Sequence, residues 1–518
     1  MRISRELLFI LLCVFITIAI LPLISDSGNI RLCWKCPTNV SGENRSGVYP
    51  SIAAGEGWDA VVWMEYTPYG WIVNYRKLDE GGYMRVDDGF HSLNPDIDIS
   101  RDGVVVVWQT NVSGNWEIYA REIGGEIGES VKVSEGGVNM DPSVSCYGDR
   151  IYITWNMRVE TGRYNIALVC LERGKVLWRR VVDEGLAIQP KVAAFDGGTY
   201  ITWMKRSEDV WDIMYAIYDE NGEIEGEPRR ISLGHEAQLP MIDNYEERCA
   251  VVWQENIDGN WDIYMRILKG SDVGEAVRIT HGSEFEIEGD VALWGNWTYV
   301  VYAREERGWR IGITVLQGED RVIDKFEVAS ICGGFNKHNI TRPKVEAYEN
   351  YVYVVWSDRV GEVLYPMMMR GRWSGGSLQL LEKPLEVKSG EANIARVRVE
   401  NLGVWREKFV IVCGNRRYFS ELEPGESEVI DVEFILRGVG VKNLKILLES
   451  ETGEIIDVVE SSVKISGGDI FRQIYDFISR IEVITLIAVV VLTFFAFFRM
   501  FAKSRGRSGE VSRRGKGD

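Results

Sequence analysis

A proline–aromatic pair recurs along the chain with constant internal spacing. Six prolines each lie 13 residues before a tryptophan, and a seventh copy has Gly289 and Tyr302 at the same spacing. Successive copies begin 45 to 54 residues apart. A motif repeated at this period indicates a repeat architecture. The six prolines are Pro50, Pro95, Pro142, Pro190, Pro240 and Pro343.

Each copy has the pattern of four short β-strands. The segment after the proline alternates, as in "DIDI", and a turn and a strand that ends on the tryptophan follow, as in "VVVVW". A third strand carries "EIY" or "DIY", and a fourth reads "VKV", "RRI" or "VRI". One such meander cannot bury both of its faces, whereas blades stacked around an axis can. The sequence therefore predicts an all-β chain in which residues 30–376 form a seven-bladed β-propeller.

The repeated aromatic residue has two interpretations. It could form a packing layer between blades, or it could form an aromatic cage or a platform for sugars. Seven equivalent copies on a strand favour packing, because a binding site needs only a few of them. The predicted packing residues are Trp63, Trp108, Trp155, Trp203, Trp253, Tyr302 and Trp356.

The repeat "P…VVW…DGNWDIY…RIT" resembles that of TolB-type propellers. This resemblance covers about 340 residues. It implies a periplasmic or extracellular protein that binds proteins or other ligands, and it supplies no catalytic residues to transfer. Two features depart from the family: tryptophan stands where the family often has phenylalanine, and "SRDG" at Ser100–Gly103 is the only near copy of its S-P-D-G turn.

The seventh copy lacks an obvious fourth strand. The segment "IRL" before the first proline matches "VKV" and "VRI", so we expect Ile30–Cys33 to close the ring as the outer strand of the seventh blade. The alternative is "LQLLE", Leu378–Glu382.

Alternating β segments continue after the ring. Residues 383–465 are long enough for a seven-strand sandwich, and they resemble CARDB-type Ig-like modules of prokaryotic surface proteins in "SGE" and "PGES". Residues 470–481 are then predicted to form a juxtamembrane amphipathic helix.

Both ends of the chain have membrane-directed patterns. Residues 1–27 combine a basic start with an apolar run, which indicates either a cleaved signal peptide or an uncleaved signal anchor. Residues 483–501 are predicted to be a transmembrane helix, followed by a basic cytoplasmic tail at residues 502–518. This arrangement predicts a cell-membrane protein whose body is extracellular.

The charge distribution bears on partners. The net charge is −18; the last twenty residues carry +5, which leaves −23 on residues 1–498. An acidic body without a basic patch argues against nucleic acid, whose phosphates require clustered lysine and arginine. The expected partners are the membrane and an unknown extracellular protein or glycan.

Sequons and cysteines support an extracellular location. Two enlarged loops are expected, and they carry Cys33, Cys36 and Cys332, so we predict a disulfide from Cys332 to Cys36 or Cys33. The glycosylation candidates are Asn39, Asn44, Asn111, Asn296 and Asn339.

Catalytic and metal motifs are scarce. The sequence contains neither G-x-S-x-G nor H-E-x-x-H, and the lone Cys33-x-x-Cys36 pair favours neither a zinc site nor a redox centre. No metal, no cofactor and no catalytic residue is predicted. Three histidines, His91, His235 and His338, lie four or five residues before a repeat proline, in loops expected at the central opening where propellers bind ligands.

Three functions follow from these patterns. The first is a non-catalytic, membrane-anchored propeller that binds a protein or glycan. The second is a propeller enzyme, such as a glycoside hydrolase or lyase, and the third is a structural component of the cell envelope. Paired carboxyl groups with raised pKa in a deep central pocket would favour the enzyme.

Overall fold

The structure is a computed structural model that describes most of the chain between residues 30 and 466. It covers residues 30–328 and 341–466, apart from residues 43–44, 90, 112–113, 307, 361, 404, 452 and 454, and also residues 490–494. Within this part the chain forms two compact units, Arg31–Ser374 and the residues from Gly375 onward.

The first unit consists of antiparallel sheets that follow one another along the chain. Strands β1 (Ile30–Trp34) and β2 (Thr38–Asn39) precede the first complete sheet. Sheet I consists of β3 (Val48–Ala53), β4 (Ala60–Thr67), β5 (Gly70–Lys77) and β6 (Met84–Arg85). Sheet II consists of β7 (Ser92–Ser100), β8 (Gly103–Thr110), β9 (Glu117–Ile123) and β10 (Val131–Lys132). Sheet III consists of β11 (Val138–Tyr147), β12 (Arg150–Glu160), β13 (Arg163–Glu172) and β14 (Lys175–Asp183).

The next three sheets repeat the same meander. Sheet IV consists of β15 (Ala187–Phe195), β16 (Gly198–Ser207), β17 (Val210–Asp219) and β18 (Arg229–Arg230). Sheet V consists of β19 (Glu236–Tyr245), β20 (Arg248–Ile257), β21 (Asn260–Lys269), β22 (Asp272–Val273) and β23 (Val277–Arg278). Sheet VI consists of β24 (Glu286–Trp294), β25 (Trp297–Glu305), β26 (Trp309–Gln317) and β27 (Arg321–Glu327). Sheet VII contains β28 (Thr341–Tyr348), β29 (Tyr351–Val360) and the start of β30 (Val363–Glu382), to which β1 and β2 also pair.

The sheets form a closed circuit. The first strand of each sheet contacts the first strand of the next, and β28 of sheet VII contacts β3 of sheet I. A circuit of radially arranged antiparallel sheets is a β-propeller, and it leaves only short exposed edges. The predicted all-β propeller fold is therefore present in the first unit.

The repeat proline lies at a bulge in every first strand except that of sheet VI, where Gly289 replaces it. The pairing with the second strand shifts register at this point in all seven sheets. The residue just before has a positive φ of 50° to 54°, which costs a residue with a side chain about 1–2 kcal/mol. These seven residues, here called the bulge residues, are Tyr49, Asn94, Asp141, Gln189, Leu239, Glu288 and Arg342.

The residue after the tryptophan stabilises the bulge of the next sheet. The backbone N–H of Asp141 donates to Gln109 Oε1 at 2.7 Å, and that of Gln189 donates to Asn156 Oδ1 at 2.8 Å. The backbone N–H of Glu288 likewise donates to Gln254 Oε1 at 2.9 Å. Because the bulge turns this N–H away from its own sheet, the side chain of the neighbouring sheet satisfies it.

The repeated aromatic residues lie between neighbouring sheets. Trp253 shares a hydrophobic cluster with residues of sheets IV and V, and Trp108 shares one with residues of sheets I and II. Trp63, Trp108, Trp203, Trp253 and Trp356 are among the largest fully buried side chains of the described residues. Trp155 and Tyr302 are also buried in clusters between adjacent sheets.

The "DIY" and "VRI" segments are joined by an ion pair whose carboxylate is buried. Asp262 accepts hydrogen bonds from Arg278 at 2.7 Å and from Thr280 at 3.1 Å, and Thr280 Oγ1 accepts the backbone N–H of Ile263 at 3.0 Å. This set ties the third strand to the outer strand and explains why an acidic residue and a basic residue recur together. Equivalent sets are Glu117, Lys132 and Ser134 in sheet II, and Asp212, Arg230 and Ser232 in sheet IV.

The circuit is closed by the N-terminal part of the unit, but not in the predicted register. Thr38 and Asn39 pair with Met368 and Met367, as Lys132 pairs with Tyr119 in sheet II. Strand β1 also pairs with β30, and Lys35 N–H donates to Arg370 O at 2.8 Å. The predicted pairing of Ile30–Cys33 with the third strand of sheet VII is therefore present, but the predicted register is wrong, because Thr38 and Asn39 occupy the place beside Leu364–Met369.

Hydrogen bonds between sheets identify the equivalent residues. Arg121 and Arg266 donate to the backbone oxygens of Val86 and Ile231, which directly follow β6 and β18, the outer strands of the preceding sheets. Arg76 donates in the same way to Val40 O at 2.8 Å. The segment Asn39–Ser41 thus corresponds to "RIS" and "RIT" elsewhere. Asn39 lies 11 residues before Pro50, so the enlarged loop expected there is not present.

Replacing Val40 with aspartate should lower the free energy of unfolding by at least about 3 kcal/mol, because Val40 is 2% exposed and an unpaired charge would enter the cluster between sheets VII and I. The matched control is Val322→Asp on the outer strand of sheet VI, where the side chain is 45% exposed. Chemical denaturation compares the two variants. Equal stability of the variants would show that residues 38–41 do not close the circuit.

The second unit is a pair of sheets around its own core. The end of β30 pairs with β32 (Ala392–Asn401), which pairs with β35 (Ser427–Ile435). The second sheet has the order β31 (Glu386–Lys388), β37 (Ile455–Ser466), β36 (Gly440–Ser450), β33 (Glu407–Cys413) and β34 (Arg416–Leu422). Both sheets contribute to one hydrophobic cluster. Because Leu378 pairs with Val399 in this unit, the alternative closure by Leu378–Glu382 is also wrong.

Most of the predicted membrane-directed segments lie outside the described residues. These are residues 1–27, 470–481 and 502–518, and all of residues 483–501 except 490–494, which are helical. Among the residues that the structure describes, no helix has the length and apolar character needed to cross a membrane.

Candidate functional site

The bulges surround a cavity at one end of the propeller axis. Its volume is about 200 Å³, below the range of roughly 300–1,000 Å³ typical of pockets for drug-sized ligands. All seven first strands contribute to its wall through the bulge residue and the proline or Gly289 that follows, and five of them also contribute the next residue. A site of this size can take a single compact chemical group, such as one sugar ring.

The acidic residues of the cavity wall have hydrogen-bond donors within the protein. Asp96 accepts from Ser51 Oγ at 2.9 Å and from Val144 N–H at 3.1 Å. Asp141 accepts from Asn94 at 2.6 Å and from Asn156 at 2.9 Å. Both oxygens of each carboxylate are thus engaged, which fixes the two side chains as part of the wall.

The basic residues of the wall differ in their partners. Lys344 Nζ lies 3.6 Å from Asp290 Oδ1, and the Arg342 guanidinium lies 4.5 Å from the centre of the Tyr49 ring. Lys191 forms no ion pair with another described residue. Burial, together with the positive charge of Lys344, lowers the pKa of Lys191 to about 8, and the negative charges of Asp96, Asp141 and Asp290 act against this shift.

An amide oxygen next to Lys191 also lacks a partner. Gln189 Oε1 is inaccessible to water-sized spheres and accepts no hydrogen bond. Gln189 and Lys191 flank Pro190, and both contribute to the cavity wall. A buried acceptor without a donor costs about 1–3 kcal/mol, and because water-sized spheres do not reach this oxygen, a ligand in the cavity cannot bond to it unless the Gln189 side chain moves.

A layer of carboxyl groups lies deeper along the first strands, two residues beyond the cavity wall. Burial raises the pKa of Asp98 to about 6 and the pKa of Asp243 to about 7. Burial and the charges of Asp243 and Asp98 raise the pKa of Glu346 well above its usual range. All three side chains are only partly buried, so water-sized space reaches them and moderates these shifts.

The same groups connect neighbouring sheets. Asp98 accepts Cys146 N–H at 2.7 Å and Asp243 accepts Leu293 N–H at 2.6 Å. Two residues further along the strands, the ring centres of Tyr245 and Trp294 lie 5.0 Å apart and those of Trp294 and Tyr348 lie 4.7 Å apart. The axis therefore passes from a charged mouth through a carboxyl layer to an aromatic layer.

The histidines predicted to bind ligand are not part of this cavity wall. His91 and His235 are exposed, and neither contributes to the cavity. His235 N–H donates to Glu255 at 3.0 Å, which fixes the loop rather than the imidazole. His338 lies outside the described residues. The candidate site is thus formed by the residues that flank the repeat prolines.

Two of the predicted glycosylation sites have internal contacts. Asn39 Nδ2 donates to Gly42 O at 2.6 Å, and Ser41 of the same sequon is buried. Asn296 is exposed, and its Oδ1 accepts from Arg248 at 3.3 Å. Asn111 has an intermediate exposure, whereas Asn44 and Asn339 lie outside the described residues. Occupancy at all five stays a prediction.

Cys36 is disulfide-bonded, in agreement with its being one of the three predicted disulfide cysteines. The side chains of Cys33 and Cys332 lie outside the described part, so the identity of the partner stays a prediction. Cys146, Cys170, Cys249 and Cys413 carry free thiols. The described residues contain no group of three histidine, cysteine, aspartate or glutamate side chains placed to hold a metal ion.

No protein-family model matches the chain, and no curated protein matches it. Similar solved structures have low sequence identity. The β-propeller domain of the Trilobed protease from Pyrococcus furiosus is 10% identical, with 64% of this chain and 98% of that chain covered and a TM-score of 0.43. Polysaccharide lyase Uly1 is 10% identical, with 65% and 91% covered and a TM-score of 0.41. A subtype N11 neuraminidase-like protein from a flat-faced bat influenza A virus is 9% identical, with 67% and 96% covered and a TM-score of 0.39.

Proposed function

We propose that this chain is a membrane-anchored surface protein whose seven-bladed, TolB-like propeller binds an extracellular glycan or protein at the mouth of its axis. In this proposal the second unit is an Ig-like stalk of the CARDB type, and residues 483–501 anchor the chain with the basic tail in the cytoplasm. The sequence patterns at both ends support the location, and the cavity supports the binding role.

One observation carries the binding role. Seven strained bulge residues surround one cavity, in which Lys191 forms no ion pair with another described residue. Backbone strain of this kind persists only where the surrounding structure enforces it, and it is typical of ligand sites. The wall carboxylates are engaged in hydrogen bonds, so they form a binding surface rather than a free acid–base pair.

A variant that fills the cavity should abolish binding. Ser51→Phe places a large side chain in the wall of the cavity, whereas Ser271→Phe adds the same ring at an exposed turn outside it. The full chain in detergent is presented to a glycan array and to surface extracts, and melting temperatures verify folding. Binding by the unaltered chain and by Ser271→Phe, but not by Ser51→Phe, is the expected result. Equal binding by all three would contradict the proposal.

A propeller enzyme is the second candidate, and the deeper carboxyl layer favours it. The raised pKa values of Asp98 and Asp243 are those expected of general acids near neutral pH. Turnover of a bound polysaccharide that Asp243→Asn abolishes, with binding retained, would favour this alternative.

A further inference from the structure

We propose that one end of the second unit rests on an anionic lipid surface. At this end strand β37 finishes at Ser466, close to residues 388–391 and 435–442, and these three segments together are here called the exit end. The inference deepens the proposed membrane anchorage and rests on it, because it names the part of the body that contacts the bilayer.

The strand registers place the segments of the exit end together. Gly440 pairs with Ile465, so the start of β36 lies beside the end of β37, and β31 pairs with the same end of β37. Gly390 N–H donates to Leu436 O at 2.8 Å. Residues 435–442 are therefore held against the turn that follows β31, and the exit end has a defined surface.

Apolar side chains of the exit end face the solvent. Ile435 is 47% exposed, Val439 is 52% exposed and Val441 is 69% exposed. Single exposed apolar residues are ordinary, but these three lie within seven residues of one loop. Such a cluster is typical of a surface that contacts a partner or a membrane.

The charges of the exit end favour lipid headgroups. Residues 435–442 contain Arg437 and Lys442 and no acidic residue, and neither cation forms an ion pair with another described residue. Lys388 lies in the neighbouring turn, where Glu391 is 3.7 Å from it. Anionic phospholipids attract lysine and arginine close to the bilayer surface. The loop is therefore complementary to an anionic bilayer, although residues 1–498 carry a charge of −23.

The opposite end of the same unit has the opposite charge. Strand β35 begins there at Ser427, which pairs with Glu400, and it finishes at the exit end, where Ile435 pairs with Ala392. Residues 421–428 contain four glutamates and no basic residue. An anionic bilayer would repel this end and attract the exit end, so the charges of the unit define one orientation.

The predicted anchor lies next to the exit end along the chain. Residues 470–481 are predicted to lie in the membrane surface, so only residues 467–469 separate Ser466 from it. Three extended residues span about 10 Å. At that distance the exit end reaches the headgroups, and its apolar side chains enter the interface beside its cations.

The first test places a nitroxide spin label at Val441→Cys in the full chain, reconstituted into bilayers of phosphatidylcholine and phosphatidylglycerol. The matched control is Val429→Cys, an exposed valine near the other end of β35. Power saturation compares collisions of the label with oxygen, which dissolves in lipid, and with a water-soluble nickel chelate. We expect nickel collisions at Val441→Cys to be at least threefold rarer than at Val429→Cys. The unaltered chain gives the background from the native thiols.

The second test reverses the charge of the exit end. Arg437→Glu combined with Lys442→Glu should raise nickel collisions at Val441→Cys at least twofold, because anionic headgroups repel the new carboxylates. The control is Lys408→Glu combined with Arg398→Glu, two exposed residues outside the exit end, and it should change nothing. Bilayers of phosphatidylcholine alone should reproduce the rise without any charge reversal.

Four outcomes would overturn the inference. Equal nickel collisions at the two labels, in a chain that floats with the vesicles, would refute lipid contact and leave the proposed anchorage standing. Equal shielding in neutral and anionic bilayers would refute the role of the cations. Spin–spin broadening at Val441→Cys that persists in detergent would identify a second copy of the chain as the partner. A chain that does not float with the vesicles would refute the anchorage, and the inference would fail with it.

Discussion

Replacing Trp253 with alanine should lower the free energy of unfolding by about 3–5 kcal/mol. Trp253 is fully buried in the cluster between sheets IV and V, and its Nε1 donates to Glu255 at 2.7 Å. The substitution leaves a large cavity and removes a donor from a buried carboxylate, and both effects destabilise. Chemical denaturation of the full chain measures the change.

The control for this prediction is Tyr66→Ala, since the Tyr66 side chain is 63% exposed. Surface substitutions of this kind usually change stability by about 0.5 kcal/mol or less. A loss of less than 1 kcal/mol in Trp253→Ala would mean that the repeated aromatic residue does not hold neighbouring sheets together. Its alternative role as a binding platform would then regain support.

The carboxyl layer in the axis should lower the free energy of unfolding as the pH rises from about 4 to about 8. Asp98 and Asp243 have pKa values of about 6 and about 7 in the folded protein, above those of exposed aspartate. The folded state therefore holds these protons more tightly than the unfolded state does. Its stability is highest below the unfolded pKa and falls as the pH rises through the folded pKa.

Asp243→Asn isolates this effect, because asparagine keeps an oxygen for Leu293 N–H but carries no charge. At pH 8 we expect the variant to be more stable than the unaltered chain by about 1–2 kcal/mol, allowing for water in the axis, and at pH 4 we expect the advantage to vanish. Melting temperatures across this range provide the comparison. A variant that is less stable at pH 8 would show that the carboxylate is paired or well hydrated there.

The sheets of the propeller were predictable because each contains a strong local signal. The constant spacing from Pro240 to Trp253 reflects one bulge, one turn and one buried position, all within two adjacent strands. The register of the closing segment was not predicted correctly, because "IRL" has the same alternation as the outer strands of the other sheets and was matched to them on that ground alone. Its spacing to Pro50 does not match the other copies, whereas that of Asn39 does. The glycosylation motif at Asn39–Ser41 obscured its match to "RIS".

The cavity was harder to predict than the fold. The histidines were predicted to bind ligand from their position four or five residues before a repeat proline, yet His91 and His235 are exposed and do not contribute to the cavity wall. A usable signal lay in the residues before the prolines. They are as different as Leu239 and Arg342, although the surrounding motif is constant. Variation at a fixed position of a repeat is expected where each copy contributes a different group to one site.

Hydrogen–deuterium exchange of the full chain, with and without its captured ligand, tests the central claim most directly. If the ligand binds at the mouth of the axis, exchange should slow in the bulges, at the backbone amides of Asp141 and Gln189 and their counterparts, and the outer strands should not change. Protection confined to the outer strands, or to residues 383–465, would contradict the account.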